Sequence, residues 1–271
     1  MQNFLPNIKT IISITIISCF ILFTQAKSQS KNDILINNDW AKSPIQIDGN
    51  LNDWQDSLSH RNESMQISYS LKNDGEKLYM AIKSHNKQNL NRIIARGLSF
   101  SFNTEGQKKP GETIIFPIFD RVSQPKKSVT LTPAQAEKQL LSRITRLYVT
   151  GFSGIKDGPV SLNNSYGISA AAGFDGKGQL IIEVAIPFDE LKINGTPESI
   201  ACLIEINGIR QPRMAFDPNR NSARRDRFGN PNRDYRFDRQ PAIDKQSLAT
   251  GFWFKSNFAK NPNKFKQALQ N

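Results

Sequence analysis

Pro44-Ile45-Gln46-Ile47-Asp48-Gly49-Asn50-Leu51-Asn52-Asp53-Trp54 decides how the rest of the chain is read. It reads as a first β-strand, an Asp-Gly turn and an anchoring Trp54. Gly49 supplies the backbone freedom a tight turn needs. The stretch lies close behind an apolar N-terminal run, so it opens the first folded segment after what looks like an export signal. Together these features point to a secreted β-sandwich.

The N-terminal 28 residues have the layout of a secretory signal. Lys9 is the only charge before an apolar run from Ile11 to Phe23, and Ala26-Lys27-Ser28 places small residues at a cleavage site. The run is shorter than the roughly 20 apolar residues that span a bilayer, which favours cleavage after Ser28, or after Ala26, over a membrane anchor. Removing residues 1–28 takes away Lys9 and Lys27 and no acid, so the net charge falls from +12 to +10. The expected location is the periplasm, the outer surface or the extracellular space. Only Cys202 survives cleavage, so no intrachain disulfide forms and stability rests on the core. Cys202 alternates with apolar neighbours and reads as a small buried hydrophobe.

Strand signals dominate the chain beyond Trp54. Met65, Ile67, Tyr69 and Leu71 alternate with polar residues, as do Leu78, Met80 and Ile82, and Asn73-Asp74-Gly75-Glu76 between them is a hairpin turn. Leu98, Phe100 and Phe102 form another face, as do Leu180, Ile182, Val184 and Ile186, and Ile200, Cys202, Ile204 and Ile206. Weaker strands are expected at 113–117, 146–152, 166–174 and 251–255. Short period-2 strands with Gly, Pro and Asn punctuation predict an all-β fold, an antiparallel immunoglobulin-like β-sandwich over residues 39–256 with a tail at 257–271. One α-helix is expected at 133–145, capped by Thr132 and Pro133 and packed through Leu140 and Ile144. A shorter helix is expected from Asn86 to Ile94.

Residues 210–239 differ in kind. They hold nine Arg and four Asp among Asn, Pro and Gly, with few aliphatic side chains. Such a stretch buries too little apolar surface to offset ordering, and reads as a long, flexible Arg-rich loop before the last strand.

The strand motifs, taken in order, resemble the family 9 carbohydrate-binding modules and the related DOMON-like sandwiches. Ile47-Asp48-Gly49-Asn50-Leu51-Asn52-Asp53-Trp54 is similar to their opening motif, one residue shorter before the Trp. Asn73 to Ile82, Gly97 to Asn103, Gly178 to Pro187 and Ile200 to Gly208 are similar to four later strands. The resemblance implies the sandwich and a carbohydrate-binding role, with an accessory part in carbohydrate hydrolysis as a variant. It does not carry the sugar clamp across. Where those modules place one clamp Trp, this chain has Asn91-Arg92-Ile93-Ile94-Ala95-Arg96. Where they place the other, it has the Arg-rich stretch.

Candidate ligand-binding residues emerge from residue type. Trp40 and Trp253, near the two ends of the fold, can form an aromatic platform or simply pack the chain ends. Tyr235 and Phe237 are aromatics of the loop. Arg224, Arg225 and Arg227, within the Arg cluster, suit a carboxylate, sulfate or phosphate. An acidic envelope component therefore competes with a neutral polysaccharide as partner, and the loop alternatively serves a scaffold or protein-interaction module. Nucleic acid is disfavoured, because aromatics are sparse in the loop and export removes the usual target. Asp48, Gly49, Asp53 and Trp54 form the structural motif. The two carboxylates can bind Ca²⁺, or Asp48 can satisfy its own turn amides and Asp53 cap a local turn. Trp54 is either a stacking surface or an anchor. His60 and His85 are the only histidines, no motif marks a carboxylate pair among the 24 acids, and no metal-protease, nucleophile-elbow or paired-Cys motif occurs. No cofactor or resident metal is called for.

Overall fold

In the computed structural model, the described residues are 34–54, 58–119, 131–193, 198–208 and 248–262. The expected export signal and the Arg-rich stretch lie outside them. The compact unit begins at Ile34.

The strands form two sheets. The seven-stranded sheet runs, in spatial order, β1 (Leu35–Asn37), β13 (Thr250–Asn257), β12 (Ser199–Ile206), β6 (Leu98–Asn103), β7 (Glu112–Phe119), β8 (Ile144–Thr150) and β9 (Gly158–Ser161). The six-stranded sheet runs β10 (Ser169–Phe174), β11 (Leu180–Pro187), β5 (Lys77–Ser84), β4 (Ile67–Asn73) and β2 (Asp39–Trp40), with β3 (His60–Asn62) also on β4. All pairings are antiparallel except β1 with β13 and β2 with β4.

Period-2 patterning puts one face of each sheet into a shared core. Ile67, Tyr69 and Leu71 of β4 and Leu78, Met80 and Ile82 of β5 meet Phe100, Phe102, Ile204 and Phe254 of the facing sheet. The Tyr69 ring bridges the layers, its centroid 5.2 Å from that of Phe252 and 5.0 Å from that of Phe254. Cys202 lies fully buried in this layer. The β4–β5 turn is held by Asp74, whose Oδ1 accepts the N–H groups of Glu76 and Lys77, both at 2.9 Å.

Residues 34–40 pass from one sheet to the other. β1 lies beside β13 and β2 beside β4, with buried Asn38 at the crossing. Asn38 N–H donates to Asn257 O at 2.9 Å. Its side chain accepts from Ser256 Oγ and donates to Asn73 Oδ1 at 3.4 Å.

Two α-helices occur among the described residues, besides a 3-10 turn at Asn52–Trp54. Asn86 caps α1 (Lys87–Arg96), its side chain accepting from Gln88 N–H, and Ile93 of this helix reaches the core. Thr132 and Gln135 form a capping box at the start of α2 (Pro133–Leu141). The expected helix over 133–145 is therefore shorter. Ile144 opens β8 and packs on the core from that strand, while α2 itself buries no side chain fully.

The opening motif is also corrected. Residues 44–47 join no sheet. Gln46 N–H instead donates to Asp53 Oδ2 at 2.7 Å, and just beyond them the N–H groups of Asp48 and Gly49 donate to the carboxylate of Glu183. The segment is a strap laid across the outer face of the six-stranded sheet. Beneath it, Ala41, Leu51 and Trp54 cover Tyr79, Ala81, Ile181 and Ala185 in a second, smaller core.

Candidate functional site

Glu183 is the fastening point of the strap. It lies on the outer face of β11 between Ile181 and Ala185 and is completely buried. Three donors converge on it. Oε2 accepts Gly49 N–H at 2.7 Å and Asp48 N–H at 3.1 Å, and Oε1 accepts the indole N–H of Trp54 at 2.7 Å. Burial pushes the Glu183 carboxyl above its ordinary range, although the Gly49 amide, the Trp54 indole and the Asp48 amide pull the other way. Trp54 is an anchor, with 2% of its surface exposed.

The strap also builds a groove. Between it, β2, β4 and Ser59 lies an open depression of about 540 Å³. Trp40, Ile45 and the edge of Trp54 give it apolar walls, while Lys42, Ser43, Asp53, Ser59, Ser70 and Lys72 supply polar groups. Lys72 Nζ lies 5.1 Å above the Trp54 ring and donates to Asp53 O at 3.0 Å. Ser59 N–H donates to Ser70 Oγ at 2.6 Å. Nearby, burial lowers the pKa of the His60 imidazole, with Asp39 opposing, and the ring packs 5.5 Å from Tyr69. A half-buried indole beside hydroxyls and charges of both signs can hold a ligand that has an apolar face and polar edges.

The other expected site residues fall elsewhere. Trp253 alternates with Phe252 and Phe254, which contact the core, so it projects from the outer face of the seven-stranded sheet opposite Leu203. The two indoles thus sit on different sheets. Tyr235, Phe237, Arg224, Arg225 and Arg227 lie outside the described residues. Asp48 spends its carboxylate on Asn50, accepting from the backbone N–H at 3.0 Å and the side-chain amide at 2.5 Å, and Asp53 spends Oδ2 on Gln46. Among the described residues no three His, Cys, Asp or Glu side chains gather as metal ligands would, and no helix is long and apolar enough to cross a membrane.

Three features have no counterpart in the sequence reading. Glu183 carries a legible signal, being the one charge inside the apolar run Leu180–Ile186, where a carboxylate demands partners. A serine–imidazole–amide chain links β4, β5 and the β10–β11 turn: His85 Nε2 lies 2.8 Å from Ser68 Oγ and Nδ1 lies 3.2 Å from Gln179 Oε1. With Gln179 accepting from Nδ1–H, Nε2 is left to accept from the Ser68 hydroxyl. Arg92 of α1 is the third. Its buried guanidinium donates to Ile206 O at 3.2 Å, Leu248 O at 2.6 Å and Thr250 Oγ1 at 3.2 Å, tying together the two chain ends that flank the Arg-rich stretch. These partners are remote in sequence, and no local pattern announces them.

No model of a known protein family matches the chain, no curated protein matches it, and no solved structure matches it.

Proposed function

We propose that this protein is an exported, non-catalytic binding domain that holds polysaccharide in the groove beside Trp40. The groove carries the reading: it is open, within the size range of small-molecule sites, and combines an indole with hydroxyls and charges. Sugar rings present apolar C–H faces and hydroxyl edges, and these walls offer a partner to each. The two facing, mainly antiparallel sheets and the order of the strand motifs support an immunoglobulin-like sandwich related to the family 9 carbohydrate-binding modules. The apolar N-terminal run followed by small residues supports export.

A scaffold that grips an acidic envelope partner through residues 210–239 is the second reading, favoured by the nine arginines of that stretch.

The deciding experiment measures retention on a panel of neutral and acidic polysaccharides at low and high salt, for the unaltered protein, Trp40→Ala and a deletion of 213–239. The glycan reading expects salt-resistant binding that weakens at least about tenfold in Trp40→Ala, equivalent to about 1.4 kcal/mol, with an unchanged melting temperature. Equal binding by Trp40→Ala, or no glycan retained, overturns it. Binding to acidic polymers alone, lost in salt and in the deletion, moves the function to the Arg-rich stretch.

A further inference from the structure

A second concavity lies on the outer face of the seven-stranded sheet, at the C-terminal end of α1. It encloses about 260 Å³ between Ile94 and Arg96 of the helix and Ile115, Ile118, Phe119 and Tyr148 of β7 and β8. Two sequence features shape it. Ile115 pairs with Tyr148 and Ile118 with Arg146, so β7 carries one extra residue here. Such a bulge bends the strand, and the cleft opens at the bend. Gly97 then ends the helix at φ 74°, where a Cβ would lie 2.9 Å from Pro117 O and 3.0 Å from Ile115 Cγ2. Glycine therefore lets the helix end approach β7 closely enough to wall the cleft.

The lining is chemically one-sided. Its walls are aliphatic and aromatic, and among the described residues that line it the only charge is Arg96. The Arg143 guanidinium lies 5.9 Å from the centre of the Phe119 ring, adding positive charge at that wall. Apolar walls favour an apolar body, by about 25 cal/mol for each Å² removed from water. A guanidinium at the mouth favours a carboxylate or sulfonate, which its fork can grip through two hydrogen bonds. The net positive charge, +10 after removal of residues 1–28, acts in the same direction by drawing anions toward the surface.

We infer that this cleft binds a small amphiphilic anion, its flat apolar body between Ile115, Phe119 and Tyr148 and its carboxylate at Arg96. The site is independent of the groove beside Trp40, which lies on the other sheet.

Calorimetric titration with 1-naphthoate and its neutral counterpart 1-naphthamide tests this. The naphthoate is expected to bind about tenfold tighter than the amide, in keeping with a charge-assisted hydrogen bond. Arg96→Ala should lower naphthoate affinity to that of the amide and leave the amide unchanged. Ala95→Phe, at an exposed position on the cleft mouth, should abolish binding of both. Trp40→Ala should change neither. Arg96 and Ala95 are both exposed, so urea midpoints should match the unaltered protein. Equal affinity for acid and amide, naphthoate bound as tightly by either cleft variant, or no binding at millimolar ligand overturns the proposal. So does a dimer, seen by sedimentation, that Ala95→Phe dissociates and naphthoate does not.

Discussion

Trp54→Phe removes one atom group that the fold uses twice, once as a hydrogen-bond donor and once as bulk under the strap. The indole N–H sits 2.7 Å from Glu183 Oε1, with both side chains shielded from water. A hydrogen bond to a charged group contributes about 1.5–3 kcal/mol. The smaller Phe ring leaves a gap against Tyr79, Ala81 and Ile181, for about another 1 kcal/mol. Trp54→Phe should therefore destabilise the protein by about 3 kcal/mol, read as a lower urea midpoint at unchanged slope. A double-mutant cycle with Glu183→Ala, which removes the acceptor, isolates the pair, with an expected coupling of about 1.5–3 kcal/mol. The coupling depends on pH in a defined direction. The indole bond favours the ionised carboxylate, so removing it raises the Glu183 pKa further. Its contribution is complete where Glu183 is ionised in both proteins and fades as pH falls through the raised pKa, starting above the ordinary carboxylate value of 4.5. A coupling below about 0.5 kcal/mol at neutral pH, or one that grows on acidification, refutes the fastening role argued for Glu183.

Gly49→Ala should cost about 3 kcal/mol in urea unfolding, because φ is 85° and the new Cβ would lie 2.6 Å from the Ala172 carbonyl; a cost under about 1 kcal/mol would mean the strap is not pressed against β10. The Cys202 thiol, fully buried and with its pKa pushed up by that burial, should react with a thiol reagent only at the rate of unfolding; rapid reaction in native buffer would contradict its place in the core. Tyr79→Phe should lower stability by about 1–2 kcal/mol at neutral pH, since its hydroxyl donates to Asp74 Oδ2 at 2.6 Å. Burial alone would raise the Asp74 pKa, but the Tyr79 hydroxyl and the Glu76 and Lys77 amides outweigh it and hold the carboxyl below 3.8, so the Tyr79→Phe deficit should shrink as acid protonates Asp74. A deficit that persists unchanged at low pH argues against that bond.

The alternation of Leu78, Met80 and Ile82, and of Leu180 to Ile186, was legible because a half-buried strand repeats every two residues and nothing nearby competes with that period. The Asn73–Glu76 turn was legible because Asp and Gly carry its geometry locally. Pro44–Ile47 misled for the opposite reason. Isoleucine at every second position suits a strand, but here Ile45 and Ile47 pack beside a second core, Asp53 takes the Gln46 amide, and Glu183, more than 130 residues away, fastens the Asp48 and Gly49 amides that follow. Helix α2 ended early because Ile144, spaced for a helix, pairs in β8. Of the candidate residues, Trp40 was legible by type, whereas Ser59, just before β3, and Ser70 and Lys72 of β4 gather beside it only on folding. Phe119 and Tyr148 reach the end of α1 from strands distant in sequence, beside a stretch that itself contains no aromatic.

The crossing at Asn38 has a consequence for biosynthesis. β1, among the first described residues, lies beside β13, the last strand among the described residues, and β13 also completes β12 and supplies Phe252 and Phe254, which pack on Tyr69. Until residue 257 has emerged from the ribosome, the seven-stranded sheet lacks an interior member and Asn38 lacks Ser256 and Asn257. A nascent chain of this protein therefore has no complete sandwich to fold into until β13 is available. Such a delay fits the export proposed above, in which the chain is threaded unfolded through a translocation channel before it closes.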